Sequence, residues 1–169
     1  KSRGKPVKGT RLELRADGLP PNRPVDVAWG TVSGGWVIED YYHFRGKKYS
    51  EVSQALATAA TDAQGRLVTS VAVPEDFGGV HDILIKDGAT VIAQGGVETG
   101  QTFELVPREG PVGTMVELRV TGLGWRTMES TWVVNWDNQQ VGWVSGTQTK
   151  GTAVARFRDR KSTSLNSSH

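Results

Sequence analysis

Gly9-Thr10-Arg11-Leu12-Glu13-Leu14-Arg15-Ala16-Asp17-Gly18-Leu19 returns 104 residues later as Gly113-Thr114-Met115-Val116-Glu117-Leu118-Arg119-Val120-Thr121-Gly122-Leu123. In the first stretch Leu12, Leu14 and Ala16 alternate with Arg11, Glu13 and Arg15. That period of two is the pattern of a strand with one face buried and one in water. The glycine before the final leucine of each stretch supplies a turn. A strand-and-turn unit recurring at one offset marks a duplicated structural unit, so the chain reads as a repeat protein built from strands.

Working outward, Val25-Asp26-Val27-Ala28-Trp29 matches Trp132-Val133-Val134-Asn135-Trp136, and Trp36 matches Trp143, now 107 residues apart. Both tryptophan pairs, Trp29 with Trp36 and Trp136 with Trp143, are separated by seven residues. Further on, Gly65-Arg66-Leu67-Val68-Thr69-Ser70-Val71 matches Gly151-Thr152-Ala153-Val154-Ala155-Arg156-Phe157. Between the second tryptophan and that glycine the first copy holds 21 residues more than the second. The surplus is an insertion at about 40–61, and it carries Tyr41, Tyr42, His43, Phe44 and Tyr49.

The remaining strands follow from turn chemistry. Ser33-Gly34-Gly35 is expected to reverse the chain between Val25–Trp29 and Trp36-Val37-Ile38, making a hairpin. Asp62-Ala63-Gln64-Gly65 joins a strand through Ala55 to Thr61 to one through Leu67 to Val73, which Pro74 ends. His81–Lys86 and Thr90–Ala93 flank a turn at Asp87-Gly88 as the last hairpin of the first copy. Thr102–Val106 opens the second. Strands every 8 to 12 or so residues between glycine-rich turns fit a sandwich of two antiparallel sheets, with Trp29, Trp136, Leu12, Leu14, Val116 and Leu118 in the cores. The expected fold class is therefore all-β: tandem immunoglobulin-like β-sandwich domains, the first nearly complete and the second truncated. Residues 1–100 form the first, whose opening strand would lie before Lys1. Residues 101–158 form the second, without the last two strands. Residues 159–169 are polar, lack strand periodicity, and are expected to be a disordered tail foreign to the native frame.

Composition narrows the function. The 21 glycines and six tryptophans in 169 residues suit short strands and tight turns. There is no cysteine, which excludes a disulfide scaffold, a thiol nucleophile and a cysteine zinc site. A net charge of +2 is small, and the basic residues gather at Lys1, Arg3, Lys5, Lys8 and Arg11 and at Arg45, Lys47 and Lys48. Nucleic-acid binding calls for a basic groove with aromatic platforms, so no nucleic acid is expected as a partner. No apolar run approaches the roughly 20 residues of a membrane span, and no signal-peptide pattern occurs in these residues.

Catalytic chemistry finds no foothold. His43, His81 and His169 are scattered, and neither a metal-binding histidine pattern nor a nucleophile elbow nor a phosphate loop is present. His81, at the entrance to a hairpin, reads as a structural hydrogen-bonding residue. Glu39-Asp40 and Glu75-Asp76 could pair as acids only across a cleft, which a compact sandwich does not obviously offer. Calcium held by Glu75, Asp76 and Asp17 lacks the supporting loop pattern. No catalytic residue, metal or cofactor is expected. The candidate ligand residues are Trp36, Tyr41, Tyr42, Phe44 and Tyr49, since flat rings stack on sugars and anchor partner proteins. The competing reading has them covering a sheet or packing the insertion onto it.

The Gly113-Thr114 and Val116-Glu117-Leu118 strand, Gly122-Leu123-Gly124-Trp125, and Val73-Pro74-Glu75-Asp76-Phe77-Gly78-Gly79-Val80-His81-Asp82-Ile83 resemble bacterial IPT/TIG-type and related immunoglobulin-like repeats, over about residues 5–158. The resemblance implies a non-catalytic structural or adhesion module of a secreted or cell-surface bacterial protein, of which this chain would be a fragment. The alternative it leaves is a carbohydrate-binding or accessory module attached to an extracellular enzyme. Partners would be neighbouring repeat domains, surface proteins or polysaccharide.

Overall fold

The computed structural model describes residues 4–38, 43–126 and 128–159. Within them the chain is all-β, with eleven strands and no helix. β1 (Arg11–Ala16) pairs antiparallel with β4 (Leu67–Ala72) in a two-stranded sheet. In a four-stranded sheet β2 (Pro24–Ile38) lies between β3 (Phe44–Ala60) and β5 (Gly79–Asp87), with β6 (Thr90–Thr99) outside β5. In the second half β8 (Met115–Thr121) lies between β7 (Thr102–Val106) and β11 (Ala153–Arg158). There, among the described residues, β9 (Thr131–Trp136) pairs only with β10 (Gln139–Ser145).

Alternation delivers the side chains that hold these sheets together. Val27 and Trp29 from β2, Val71 from β4, Val73 just beyond it and Ile83 from β5 form one buried cluster, with Leu12 and Leu14 of β1 packed against it. Both sheets of the first half thus share a core. A second cluster there joins Leu19, Val25, Leu67 and Ile85. In the other half Val120, Leu123, Val134, Val144 and Ala153 are buried together, flanked by Leu118, Trp132 and Phe157. Val116 is buried too, whereas Trp136 is only half-buried.

The duplicated sequence is matched by duplicated backbone hydrogen bonds. The Gly9 N–H donates to the Val73 carbonyl and the Val73 N–H to the Thr10 carbonyl, each at 2.9 Å. Gly113 donates to the Asp159 carbonyl at 2.7 Å, and Asp159 to that of Thr114 at 2.9 Å. Leu19 donates to Gly65 at 3.0 Å, Leu123 to Gly151 at 2.9 Å. Leu12 faces Val71 across its sheet as Val116 faces Phe157. Gly65 and Gly151 have φ of 73° and 86°, and a Cβ on either would crowd the carbonyl oxygen of Leu19 or Leu123, so both the dihedral and the contact require glycine. Asp159, expected at the head of a disordered tail, is instead buried and bonded into this frame. The rest of that segment, 160–169, lies outside the described residues.

Two expectations fail. The chain does not turn at Ser33-Gly34-Gly35, because β2 continues to Ile38 with Gly34 opposite Tyr49 and Gly35 opposite Lys48. A Cβ on Gly34 would collide with the Lys48 carbonyl, so this glycine lets two strands approach closely where a turn was expected. Accordingly β3 begins at Phe44 and not near Ala55, so the insertion takes in the whole strand that pairs with β2. Nor do Trp36 and Trp143 occupy matching places. Trp36 is on β2 with Trp29, while a turn at Asp137-Asn138 separates Trp136 from Trp143. Asp137 and Asn138 have φ of 49° and 59°, the left-handed pair that a two-residue hairpin turn prefers.

Candidate functional site

Of the residues nominated as ligand contacts, the structure describes the side chains of Trp36 and Tyr49. Trp36 is half-buried, with the Lys47 ammonium 4.7 Å from its ring centre. Tyr41 and Tyr42 lie outside the described residues, and Phe44 opens β3. Tyr49 reaches across to the second half of the molecule. Its ring lies 5.9 Å from Phe77, edge-on, and 5.2 Å from Trp125. The Tyr49 hydroxyl is buried without a well-aligned hydrogen bond, although Thr147 lies alongside, and its burial pushes its ionisation upward. Two positions earlier, Lys47 donates to the Ser130 hydroxyl, and burial pulls that ammonium downward. The long β2–β3 hairpin therefore braces the second repeat with Lys47 and Tyr49.

Below the brace the two repeats meet backbone to backbone. The Gly78 N–H donates to the Leu123 carbonyl at 3.1 Å, and a Cβ on Gly78 would collide with the Gly122 carbonyl oxygen. A Cβ on Gly151 would sit 2.9 Å from the Phe77 Cα and 3.0 Å from the Asp76 carbonyl oxygen. Glu75 accepts from Lys8 of its own repeat and from the Thr152 hydroxyl of the other at 2.8 Å. Those donors, Lys8 first and Thr152 next, hold its carboxyl below the usual range. A junction that admits no Cβ at two glycines and carries hydrogen bonds across it leaves little room for one repeat to swing on the other.

Beside the junction, Asp76 accepts from the Trp29 indole at 2.9 Å and from the Phe77 N–H at 2.8 Å. The His81 ring stacks on Trp29 with centroids 4.5 Å apart. Its Nδ1 lies 2.8 Å from the Gly30 carbonyl oxygen and its Nε2 2.6 Å from that of Phe77. Carbonyl oxygens only accept, so a ring nitrogen bonds here by donating its proton; Asp76 Oδ2 lies 3.9 Å from Nδ1. Trp29, Asp76 and His81 are all buried, and their polar atoms are occupied by one another and by backbone. This cluster fixes strands β2 and β5 and the approach to the junction.

A groove of about 580 Å³ runs between β10 and β11, with Val141 and Trp143 on one wall and Val154 and Arg156 on the other. Trp143, 66% exposed, is the most open aromatic side chain bordering it. The nearby polar groups are engaged: Thr149 with the Thr152 carbonyl, Thr152 with Glu75, and Arg156 with Glu117 at 2.7 Å. Sequence reasoning passed over Trp143 because it was paired with Trp36. Its place one strand beyond the Asp137-Asn138 turn was the signal that it could face outward.

Of the carboxylates considered for calcium, Glu75 is tied to Lys8 and Thr152 and Asp76 to Trp29. Among the described residues no three His, Asp or Glu side chains gather as a metal site, and no helix is long and apolar enough to cross a membrane. No family model, curated protein or solved structure matches the chain.

Proposed function

We propose that the chain is a non-catalytic structural or adhesion module, made of tandem immunoglobulin-like sandwich repeats of the IPT/TIG type, from a secreted or cell-surface bacterial protein. It acts as a stiff spacer that sets the distance and angle between whatever is attached at either side. Strand order favours the sandwich. A β1–β4 sheet facing β3-β2-β5-β6 has the connectivity of an immunoglobulin-type domain with its first strand set aside. The observation that carries the spacer role is the junction, where Gly78 and Gly151 meet the backbone of the other repeat and Glu75 is bonded from both sides. Domains joined by a small polar contact move relative to one another by default, whereas this contact is close-packed and braced by Tyr49.

Because the chain contains no cysteine, labels can be placed cleanly on Asp17→Cys in one repeat and Glu109→Cys in the other. Single-molecule energy transfer between them is expected to give one narrow distance distribution. A broad or multiple distribution would remove the spacer reading.

The exposed Trp143 beside the β10–β11 groove favours a second reading, a carbohydrate-binding module attached to an extracellular enzyme. In that case Trp143→Ala abolishes retention of the chain on insoluble polysaccharide while leaving its melting temperature unchanged.

A further inference from the structure

Val133 of β9 stands directly opposite Trp143 of β10, and residues paired in this way share one face of a sheet. Their neighbours in sequence, Val134 and Val144, are buried in the core. Val133 and Trp143 therefore point the other way, into water, at 57% and 66% exposure. The first repeat shows what that face of the fold meets when more strands are present. Val27 and Val134 are the matching buried residues, so Asp26 matches Val133. Asp26 pairs with Lys86 of β5 on one side and with Thr58 of β3 on the other. Asp26 and Thr58 are both exposed, although β5, β6 and a following repeat are all in place. The position lies in water by the geometry of the sheet, and further strands beside β9 would leave it there. A polar pair in the first repeat has become valine and tryptophan in the second.

The rest of that face is polar and uncharged. Thr131 pairs with Ser145 on one side of the apolar pair, and Asn135 pairs with Gln140 on the other. Thr131, Asn135 and Gln140 are exposed. From Thr131 to Asn135 this ladder runs about 13 Å at the usual rise of a strand, longer than one sugar ring. Asp137, in the turn, is the one charged residue from Thr131 to Ser145. A charged polymer, or the charged rim of a protein partner, finds no row of counter-charges here. An uncharged polyol finds a flat indole for the C–H face of a ring, and amides and hydroxyls that donate to and accept from its own hydroxyls.

We propose, resting on the polysaccharide reading of Trp143, that the outer face of the β9–β10 hairpin is a binding platform for a neutral polysaccharide. Trp143 is the stacking residue, Val133 extends its apolar surface, and Asn135 and Gln140 hydrogen-bond the adjoining sugar. The polymer lies on this face and not in the groove between β10 and β11. Because no charge takes part, binding persists in salt strong enough to screen the chain's net charge of +2. The matching place on the first repeat holds Asp26 and Thr58 and has no ring to stack on a sugar.

The test mixes the full chain, in high salt, with insoluble cellulose, mannan or xylan, and with two charged polymers, chitosan and calcium alginate, and measures the protein left in solution. The chain is expected to be retained on at least one neutral polymer and on neither charged one. Val133→Asp together with Trp143→Thr rebuilds the pair that the first repeat carries, and is expected to abolish retention at an unchanged melting temperature. Asn135→Ala together with Gln140→Ala is expected to weaken retention about tenfold, and this pair decides the matter if the first exchange lowers the melting temperature. Retention on a charged polymer alone, lost in Trp143→Ala, would keep the polysaccharide reading and overturn the neutral class. Retention that needs Trp143 but is indifferent to Val133→Asp and to the amide pair would move the site to the groove and overturn the platform. No retention on any polymer overturns the platform and the polysaccharide reading together.

Discussion

The Trp29 indole donates to the Asp76 carboxylate at 2.9 Å, and the Trp136 indole donates to the Asp159 carboxylate at 3.1 Å. Asp76 also faces His81 at 3.9 Å inside the protein. Removing Asp76 leaves the buried Trp29 indole and the Phe77 N–H without their acceptor. Asp76→Ala is expected to cost about 2–5 kcal/mol, and Asp76→Asn, which keeps an acceptor for the indole, about 1–3 kcal/mol. Urea denaturation measures both. A cost for Asp76→Ala within about 0.5 kcal/mol, as at an ordinary surface site, would contradict the cluster's structural role.

The matching tryptophans are not equally important. Trp29 is fully buried and Trp136 half-buried. Trp29→Ala is expected to cost about 3–5 kcal/mol, and Trp136→Ala clearly less, since less apolar area returns to water. Thermal unfolding of the two variants ranks them, and the reverse order would refute the assignment of the better-sealed core to the first repeat.

At the junction, Gly78→Ala should act on the joint before it acts on either core. The added methyl group collides with the Gly122 carbonyl, so the repeats must separate to admit it. Overpacking of this kind costs about 1–3 kcal/mol. Small-angle scattering of the variant should show a larger radius of gyration, while circular dichroism of the strands stays as in the parent. An unchanged scattering profile would show that the junction can yield locally.

Acid should loosen the same joint. Lys8 and Thr152 hold the Glu75 carboxyl below its ordinary value. The folded state therefore binds that proton less readily than the unfolded chain does. The resulting stabilisation is complete above the ordinary carboxylate value of about 4.3 and is lost as pH falls through the lowered folded value. Lys8 and Glu75 are each close to half exposed, so the effect is modest and weakened by salt. Glu75→Gln should flatten this part of the acid limb in a plot of urea midpoint against pH. An identical acid limb in the variant would remove Glu75 from the account.

Tyr49 separates ring from hydroxyl. Its ring packs on Phe77 and Trp125, whereas its buried hydroxyl lacks a well-aligned partner. Tyr49→Phe is thus expected to change stability by less than about 1 kcal/mol, and Tyr49→Ala to open the junction. Burial raises the Tyr49 ionisation, so the neutral form belongs to the folded state, and stability falls as pH rises above about 10. Tyr49→Phe should remove that alkaline component when the two melting curves are compared.

Much of this architecture was legible where residues alternate. Leu12, Leu14 and Ala16 announced β1, and the same pattern 104 residues later announced β8. The Asp62-Ala63-Gln64-Gly65 turn formed as its residues suggested, with the Gly65 N–H donating to the Asp62 carbonyl. Gly34 misled, because glycine serves two purposes that a linear sequence does not distinguish: reversing the chain and letting strands close up. Once a turn was placed at Gly34, β3 was cut short and Trp36 was set against Trp143. The junction was illegible for another reason. Gly78, Gly122 and Gly151 sit near recognisable turns, and only their approach in space reveals that they also join the repeats.

Backbone ¹⁵N relaxation on the full chain tests the central claim, that two repeats form one stiff unit, most directly. The account predicts a single overall tumbling time for β1–β6 and β7–β11, with Gly78→Ala splitting it into two. Two different tumbling times in the unaltered chain would contradict it.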